Sequence, residues 1–592
     1  MTTTTSQRML ELDWLRVLAI GVVFLYHSTR FFNLGDWHVK NIDTYVWVEM
    51  WTVFASRWMM PLFFVISGAS LFYALNKRGN FKEFFKNKFL RLMIPVLVAS
   101  LTHSAFQVYL ERLTHGQFSG SFFGFLPSYF NGLYMGIGMP GNFAFHGMHL
   151  WYLLFLFLFS LLCYPLFAWF KAGGQGMLNR ITSLYAVPGF IYIFFPLPLL
   201  IMYALIPRAV LNVGNGGWGF LYYIWFLIAG FLIASNARLK QQIKNLCWLS
   251  LFIGLCFSTA YLVLLFWPTR TVFPFLSGDR VNTILSFWSA WLWLLAILGL
   301  GMRYLAFNHP FLKKANEGVM PFYILHQTVL LAMGVFVVNL EIHDVAKWAL
   351  VFSSSFVIIL ILQTLLVQKF DFLRFLFGMK TTRPAFQAFG KWRALAPLQI
   401  LFIGLIVFAV VNPFSQTSAY HASMPIQYDP DQDILLNCRS ITNLSTTGVG
   451  VVPDKDASIG QAIVLTAGTN QRADAQPTVF FEMDFKAPAG RYVVWLRGKC
   501  DVDNGYTDSI WLQVDNQIGT SHGGLRMGNW FDVQPAGVYK WASDSHHPKS
   551  IILKHNGDHK IRIQPRQTPH RIDQIWLSRS QHCRPASISP IP

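Results

Sequence analysis

Through the first 413 positions of this chain, apolar residues come in blocks of about twenty, with the polar residues gathered in the stretches between them. A bilayer core takes about 20 mostly apolar residues per helix. The pattern therefore predicts eleven membrane-crossing helices, at roughly 12–32, 46–75, 89–110, 149–170, 184–206, 218–235, 246–267, 283–305, 318–340, 347–368 and 397–413. The fifth, AVPGFIYIFFPLPLLIMYALIP, is proline-rich and predicts a kinked or re-entrant segment. Beyond residue 415 the pattern changes to short runs rich in β-branched and aromatic residues, such as GRYVVWLRG, SIWLQVD and IRIQP. SIILKHNGDHKIRIQP sets two such runs around an Asn-Gly, a favoured hairpin turn. The fold expected is a polytopic α-helical membrane protein followed by an all-β sandwich. Its parts are a membrane domain over 1–395, one further helix over 396–414, a linker over 415–428, the sandwich over 429–582 and a tail over 583–592.

Composition agrees with this division. Of 592 residues, 54% are hydrophobic and only 13% charged, where a soluble domain carries roughly 25% charged residues. The net charge of +19 raises the question of nucleic acid, but residues 415–592 hold 17 Lys/Arg against 16 Asp/Glu, so the excess lies in the helical part. With a cytoplasmic N-terminus, inside loops hold 21 Lys/Arg and outside loops seven. That bias is the signature of membrane orientation. It predicts an N-terminus inside, a β domain outside the cytoplasm, membrane lipid as partner and no nucleic acid. The first apolar block is longer than a signal-peptide core, is charged and lacks a small-residue cleavage site, so it reads as a helix that stays.

Ionisable residues inside apolar blocks are costly and mark function more often than elsewhere. In LDWLRVLAIGVVFLYHS, Arg16 and His27 are 11 residues apart, which places them about 20° from alignment on one helix face and about 16 Å apart along it. Asp13 can pair with Arg16 at i,i+3. Arg57 lies mid-span in the second helix, ahead of WMMPLFFVISGAS, whose Ser67 and Gly68 are packing positions. Lys88 and Arg91 stand at i,i+3 at the inner start of the third helix, as an anchor or as a phosphate-holding pair. His149 and Trp151 open the fourth, and His326 lies on the inner side of the ninth. Each histidine alone is as readily a packing hydrogen bond as a catalyst.

Together these residues resemble the acyltransferase-3 family of membrane O-acyltransferases. The resemblance lies in the Asp-x-x-Arg…His first helix, FFVISG, the Lys-x-x-Arg loop, HLWYL and the late LHQ helix. It covers roughly residues 8–370, and PFYILHQT looks most like the branch containing the glucan-succinylating biosynthesis protein C. The resemblance implies a bacterial inner-membrane enzyme that moves an acyl group from cytoplasmic acyl-CoA, acetyl or succinyl, to hydroxyls of an extracytoplasmic polysaccharide. It further implies polysaccharide biosynthesis or export proteins as neighbours. The implied roles are His27 with Asp13, Arg16 and His326 for chemistry, Lys88, Arg91 and Arg57 for acyl-CoA, and His149 and Trp151 on the acceptor side. His27 would act as general base or carry the acyl group. No HExxH, Walker loop or Cys-x-x-Cys is present, so no metal is expected. The alternative is a glycan transporter with the same ionisable residues lining a polar path, for which internal repeat symmetry is expected; none is evident.

The tail is similar to β-sandwich carbohydrate-binding modules in two strands, Gly490–Gly498 and Ile572–Leu577. By that similarity Trp530, Trp541, Tyr506 and Arg566, in loop-like stretches, are sugar-binding candidates, while Trp495, Trp511 and Trp576 fill the sandwich core. Cys163, Cys247 and Cys256 fall in apolar blocks. Cys438, Cys500 and Cys583 leave one disulfide and a free thiol open, with no pairing assignable from spacing.

Overall fold

The first apolar block forms one helix, Leu10–Thr29, with Glu11 and Asp13 in its first turn, where carboxylates oppose the helix dipole. The second helix, Val46–Ala74, contains Pro61 without breaking. The computed structural model describes residues 9–579 apart from 34, 36, 42–43, 76–79, 115–117, 119, 138–140, 188, 194, 206–218, 267–278, 341, 382–391, 412–427, 467–475, 500–509, 516–524, 528–538, 543–549, 554 and 567. It falls into two units, one of residues 1–30, 46–107 and 144–408, the other of 31–45, 108–143 and 409–592.

In the helical unit the expected spans are interrupted more often than hydropathy suggests. The third runs as Phe81–Lys88, a π turn over Phe89–Met93, then Ile94–Leu101 and His103–Thr114. The fourth bends by 51° between Met148–Leu162 and Tyr164–Lys171, where Pro165 cannot continue the ladder. Phe220–Ser235 turns by 103° into Ala237–Asn245, and Asn236 caps the new helix by accepting the Leu239 N–H at 3.1 Å. Among the described residues, six helices are long and apolar enough to cross a membrane, or nine if each bent pair is one span, against the eleven expected. The two outside that count are the charged first helix and the short apolar helix Gln399–Val411.

Small residues let two of these helices touch at the backbone. A methyl group on Gly68 would stand 1.9 Å from the Leu227 carbonyl oxygen, and one on Gly230 1.9 Å from that of Val65. Val46–Ala74 and Phe220–Ser235 therefore cross with no side chain between them, as glycine permits in apolar bundles. The Ser67-Gly68 pair is thus in part a packing device.

The β part of the second unit has twelve described strands: β1 (Ile434–Asn437), β2 (Ile441–Leu444), β3 (Val449–Pro453), β4 (Gln461–Leu465), β5 (Phe481–Ala487), β6 (Gly490–Lys499), β7 (Ile510–Val514), β8 (Leu525–Met527), β9 (Lys540–Ala542), β10 (Ser550–Leu553), β11 (Gly557–Pro565) and β12 (His570–Ser578). One sheet runs β10-β6-β12-β4-β3 with β1 on β12 and β9 on β6; the other runs β2-β5-β11-β7-β8. Val494, Leu496, Ile572 and Ile575 from the first sheet pack with Met483, Ile561 and Leu512 from the second, the sandwich the alternation predicts. Also in this unit, His38 Nδ1 lies 2.5 Å from Glu111 Oε2, which accepts the Tyr134 hydroxyl at 2.7 Å. Arg112 donates to the same carboxylate at 3.2 Å. This buried network ties the segments 31–45 and 108–143 together.

Candidate active site

The first helix lies parallel to the helix Pro310–Val337, and the contacts ascend in step. Near one end, Arg16 donates to Asp13 at 3.0 Å, to Asn316 at 3.4 Å and to the Ser70 hydroxyl at 3.1 Å. Asn316 in turn donates to Asp13 at 3.2 Å. Further along, Phe24 meets Phe322 edge-on at 5.4 Å. One turn further, His27 Nδ1 and His326 Nε2 stand 2.8 Å apart. The i,i+3 pairing of Asp13 and Arg16 holds, and His326, on a separate helix, joins His27.

Hydrogen-bond complementarity fixes the protons of this pair. His326 Nδ1 lies 2.6 Å from the Tyr323 carbonyl oxygen, which only accepts, so Nδ1 carries the proton. The other nitrogen of a neutral imidazole is then an acceptor. His27 Nδ1 must therefore donate to His326 Nε2, and the lone pair of His27 falls on Nε2. His326 is fully buried and His27 half-buried, so the pair presents one basic nitrogen held in one tautomer by its neighbour.

A second layer fixes the layer beneath. His149 Nε2 donates to the carbonyls of Tyr323 and Ile324 at 3.0 and 3.1 Å. Its ring meets His326 edge-on at 4.9 Å. The Tyr323 hydroxyl returns a 2.5 Å bond to the His149 carbonyl. Gln107 approaches His149 Nδ1 at 3.5 Å, donates to Thr328 at 2.7 Å and accepts from Gln327 at 3.1 Å. His149, expected to face an acceptor, is a buried strut.

A cavity of about 590 Å³ opens beside this arrangement. Arg16, Lys88 and Arg91 line it, against Glu83 as the one carboxylate among the described residues of its wall, together with Asn80, Asn87, Ser67 and Ser70. Tyr152 and Tyr323 line it too, so the residue whose carbonyl sets the His326 tautomer also faces the cavity. Tyr152 is held by Ser67 at 2.7 Å. Lys88 and Arg91 sit at the π turn, a device found often at functional sites. There the Arg91 carbonyl is approached so closely by Gly378 that a methyl group on that glycine would lie 2.4 Å from it.

Residues 9–367 match the acyltransferase domain model of the acyltransferase-3 family. This chain belongs to the acyltransferase-3 family. Two relatives are Glucans biosynthesis protein C of Escherichia coli strain K12 and of Escherichia coli O1:K1. Each is 23% identical, over 361 and 360 residues respectively, 58% of this chain and 86% of the relative. Among solved structures, a family GH115 4-O-methyl-alpha-glucuronidase superposes with a TM-score of 0.19 at 11% identity, over 61% of this chain and 45% of that one. That likeness bears on neither fold nor function. The protein is thus an acyltransferase and, by its apolar helices, a multi-pass membrane protein.

The remaining expected residues of this acyltransferase lie elsewhere. Arg57 does not line the cavity; its guanidinium lies over the Tyr261 ring at 5.1 Å. Trp151 packs against Tyr223 at 5.1 Å. In the sandwich, Trp495 and Trp576 occupy the face of their sheet opposite the core, in a separate buried cluster with Val493 and Trp541. Trp541, expected on an exposed loop, is 7% exposed and meets Trp576 edge-on at 5.9 Å. Arg566 is half-buried, while Tyr506, Trp530, Cys500 and Cys583 lie outside the described residues. Cys438 is a buried free thiol. Gln107, Tyr323, Tyr152 and Asn316 are site residues that spacing did not reveal.

Proposed function

We propose that this acyltransferase takes an acyl group from acyl-CoA at its cytoplasmic side and delivers it to a hydroxyl of an extracytoplasmic polysaccharide. The observation that carries the reading is that three cations face one cavity whose wall also holds Tyr323, the residue that orients the His326–His27 pair. A CoA thioester is highly anionic at one end and reactive at the other. Arg16, Lys88 and Arg91 suit its phosphates as charge-assisted donors, and the ~16 Å from Arg16 to His27 along the helix suits an extended pantetheine arm. His27 Nε2 removes the proton of the sugar hydroxyl as its oxygen attacks the thioester carbonyl, and the imidazolium so formed keeps its Nδ1–H on His326. The C–S bond breaks, CoA leaves as thiolate, and His27 returns the proton to sulfur. The loop charges support a cytoplasmic N-terminus and an exterior sandwich. The relatives' glucan role supports a glucan-like acceptor, and the strand resemblance of the sandwich supports glycan capture by the tail.

The test is transfer of label from acetyl-CoA and from succinyl-CoA to extracellular glycan by purified protein in lipid. His27→Ala is expected to lower kcat by at least the ~10²–10⁴ attributable to general base catalysis. Lys88→Gln and Arg91→Gln are expected to raise KM for acyl-CoA more than they lower kcat. Undiminished transfer by His27→Ala would end this reading.

A further inference from the structure

A second cluster of ligating side chains lies in the β-sandwich, independent of the acyltransferase site. The turn between β10 and β11 holds His555, β11 carries His559, and Asp515 directly follows β7. One ring nitrogen from each histidine and one Asp515 oxygen lie within 4.8 Å of one another. His559 is 3% exposed, Asp515 is half-buried and His555 exposed. The cluster is therefore anchored on one side and reachable from the other.

The surroundings of His559 ask for a cation. Its Nδ1 faces Asp515 Oδ2 at 2.8 Å and its Nε2 faces the His555 carbonyl oxygen at 3.1 Å. Both oxygens accept only, whereas a neutral imidazole has a single N–H. One nitrogen lone pair would then point at an oxygen lone pair unless a second positive centre stands beside the ring. A proton would satisfy that nitrogen alone. The ring of His555, stacked on His559 with centroids 4.5 Å apart, and the Asp515 carboxylate supply further donor atoms that one metal ion would share.

The donor set selects the metal. Two imidazoles and a carboxylate suit zinc and similar borderline cations, whereas calcium and magnesium prefer oxygen alone. Three protein ligands leave a fourth position for water. Asp515 is already oriented, because its Oδ1 accepts the Lys560 backbone N–H at 3.0 Å, the kind of outer hydrogen bond that fixes a ligating carboxylate. Bond lengths of zinc imply ligand atoms about 3.4 Å apart in a closed tetrahedral site, a short inward movement for His555 on its exposed turn. We propose that Asp515, His555 and His559 form a zinc-type metal site that fastens the β10–β11 turn to the end of β7.

The test uses untagged full-length protein in detergent, stripped with EDTA and titrated with Co²⁺, whose visible d–d bands report tetrahedral coordination, then with Zn²⁺ as competitor. Wild type is expected to develop the bands with one Co²⁺ and to lose them to Zn²⁺. His555→Ala, at an exposed position, is expected to bind at least about tenfold more weakly while keeping the wild-type melting temperature without metal. His559→Gln serves as the second variant and is expected to lose the bands as well. Absence of d–d bands in wild type, or equal Co²⁺ affinity in wild type and His555→Ala, would overturn the proposal.

Discussion

His326→Ala tests the proton assignment at the heart of the site. The substitution removes the acceptor for His27 Nδ1–H, now 2.8 Å away, and leaves the first helix otherwise intact. In the resting enzyme that bond joins two neutral rings, but once His27 has taken the substrate proton it becomes a charge-assisted bond. Hydrogen bonds to charged groups contribute about 1.5–3 kcal/mol, so the transition state should lose roughly 10- to 150-fold in kcat. His326→Gln, which offers a carbonyl acceptor, should recover part of the loss. The assay is steady-state acyl transfer in nanodiscs, with a pH–rate profile for each variant. In a double-mutant cycle, His27→Ala with His326→Ala should be no slower than His27→Ala alone, because residues acting as a unit are not additive. A folded His326→Ala enzyme within twofold of wild type would refute the relay, as would full additivity in the cycle.

Two further expectations concern stability. Gly68→Ala and Gly230→Ala each place a methyl group 1.9 Å from a carbonyl oxygen; each should destabilise the helical unit by about 1–3 kcal/mol or more, read as a lower melting temperature in detergent, and a wild-type melt for either would disprove the backbone contact. In the sandwich, burial alone would raise the Asp454 carboxyl, but hydrogen bonds from Lys499, the Asp456 N–H and Tyr539, with the Lys499 charge, hold it at about 2 against an ordinary 3.8. The folded value lies below the unfolded one, so this stabilisation, ~2 kcal/mol, is complete above about pH 4 and is lost as pH falls towards 2. Asp454→Asn should flatten the acid limb of tryptophan-detected unfolding between those values, and an unchanged slope would remove Asp454 from the explanation.

Much of the charged end of the site was legible because helical periodicity is a strong constraint. Asp13, Arg16 and His27 share a face by arithmetic alone, and Lys88 and Arg91 join Arg16 at the cavity as their spacing suggested. The same arithmetic also accounts for Arg57, which lies 13 residues from the Ser70 that Arg16 grips, about 220° round the second helix. Gln107 escaped notice because a neutral amide inside an apolar block carries no charge cost to flag it. Tyr323 escaped because what it contributes is a backbone carbonyl, a role blind to side-chain identity. In the sandwich, alternation separates Trp495 from Val494 and Leu496, yet it cannot say which face is the core. The tryptophans occupy the other face, buried beneath a cover that strand periodicity does not encode.

The chemistry of the site also explains why a pair of histidines stands where many hydrolytic enzymes place a histidine and a carboxylate. A carboxylate beside His27 would have to be kept ionised among apolar helices, at a desolvation cost of several kcal/mol. Two neutral imidazoles in a fixed donor–acceptor order carry no net charge at rest, so the helices can bury them without a counter-ion. In the proposed reaction positive charge would appear on His27 only while negative charge develops on the attacked thioester, so that the two would offset each other. The permanent charge of Arg16 is held against Asp13 about three turns from His27, where in the proposed reaction it would meet phosphates without raising the cost of the proton transfer. Such a site depends on the order of its protons more than on charge, so neutral changes that remove one supporting hydrogen bond, such as Gln107→Leu beside His149, should slow the reaction without altering KM for acyl-CoA.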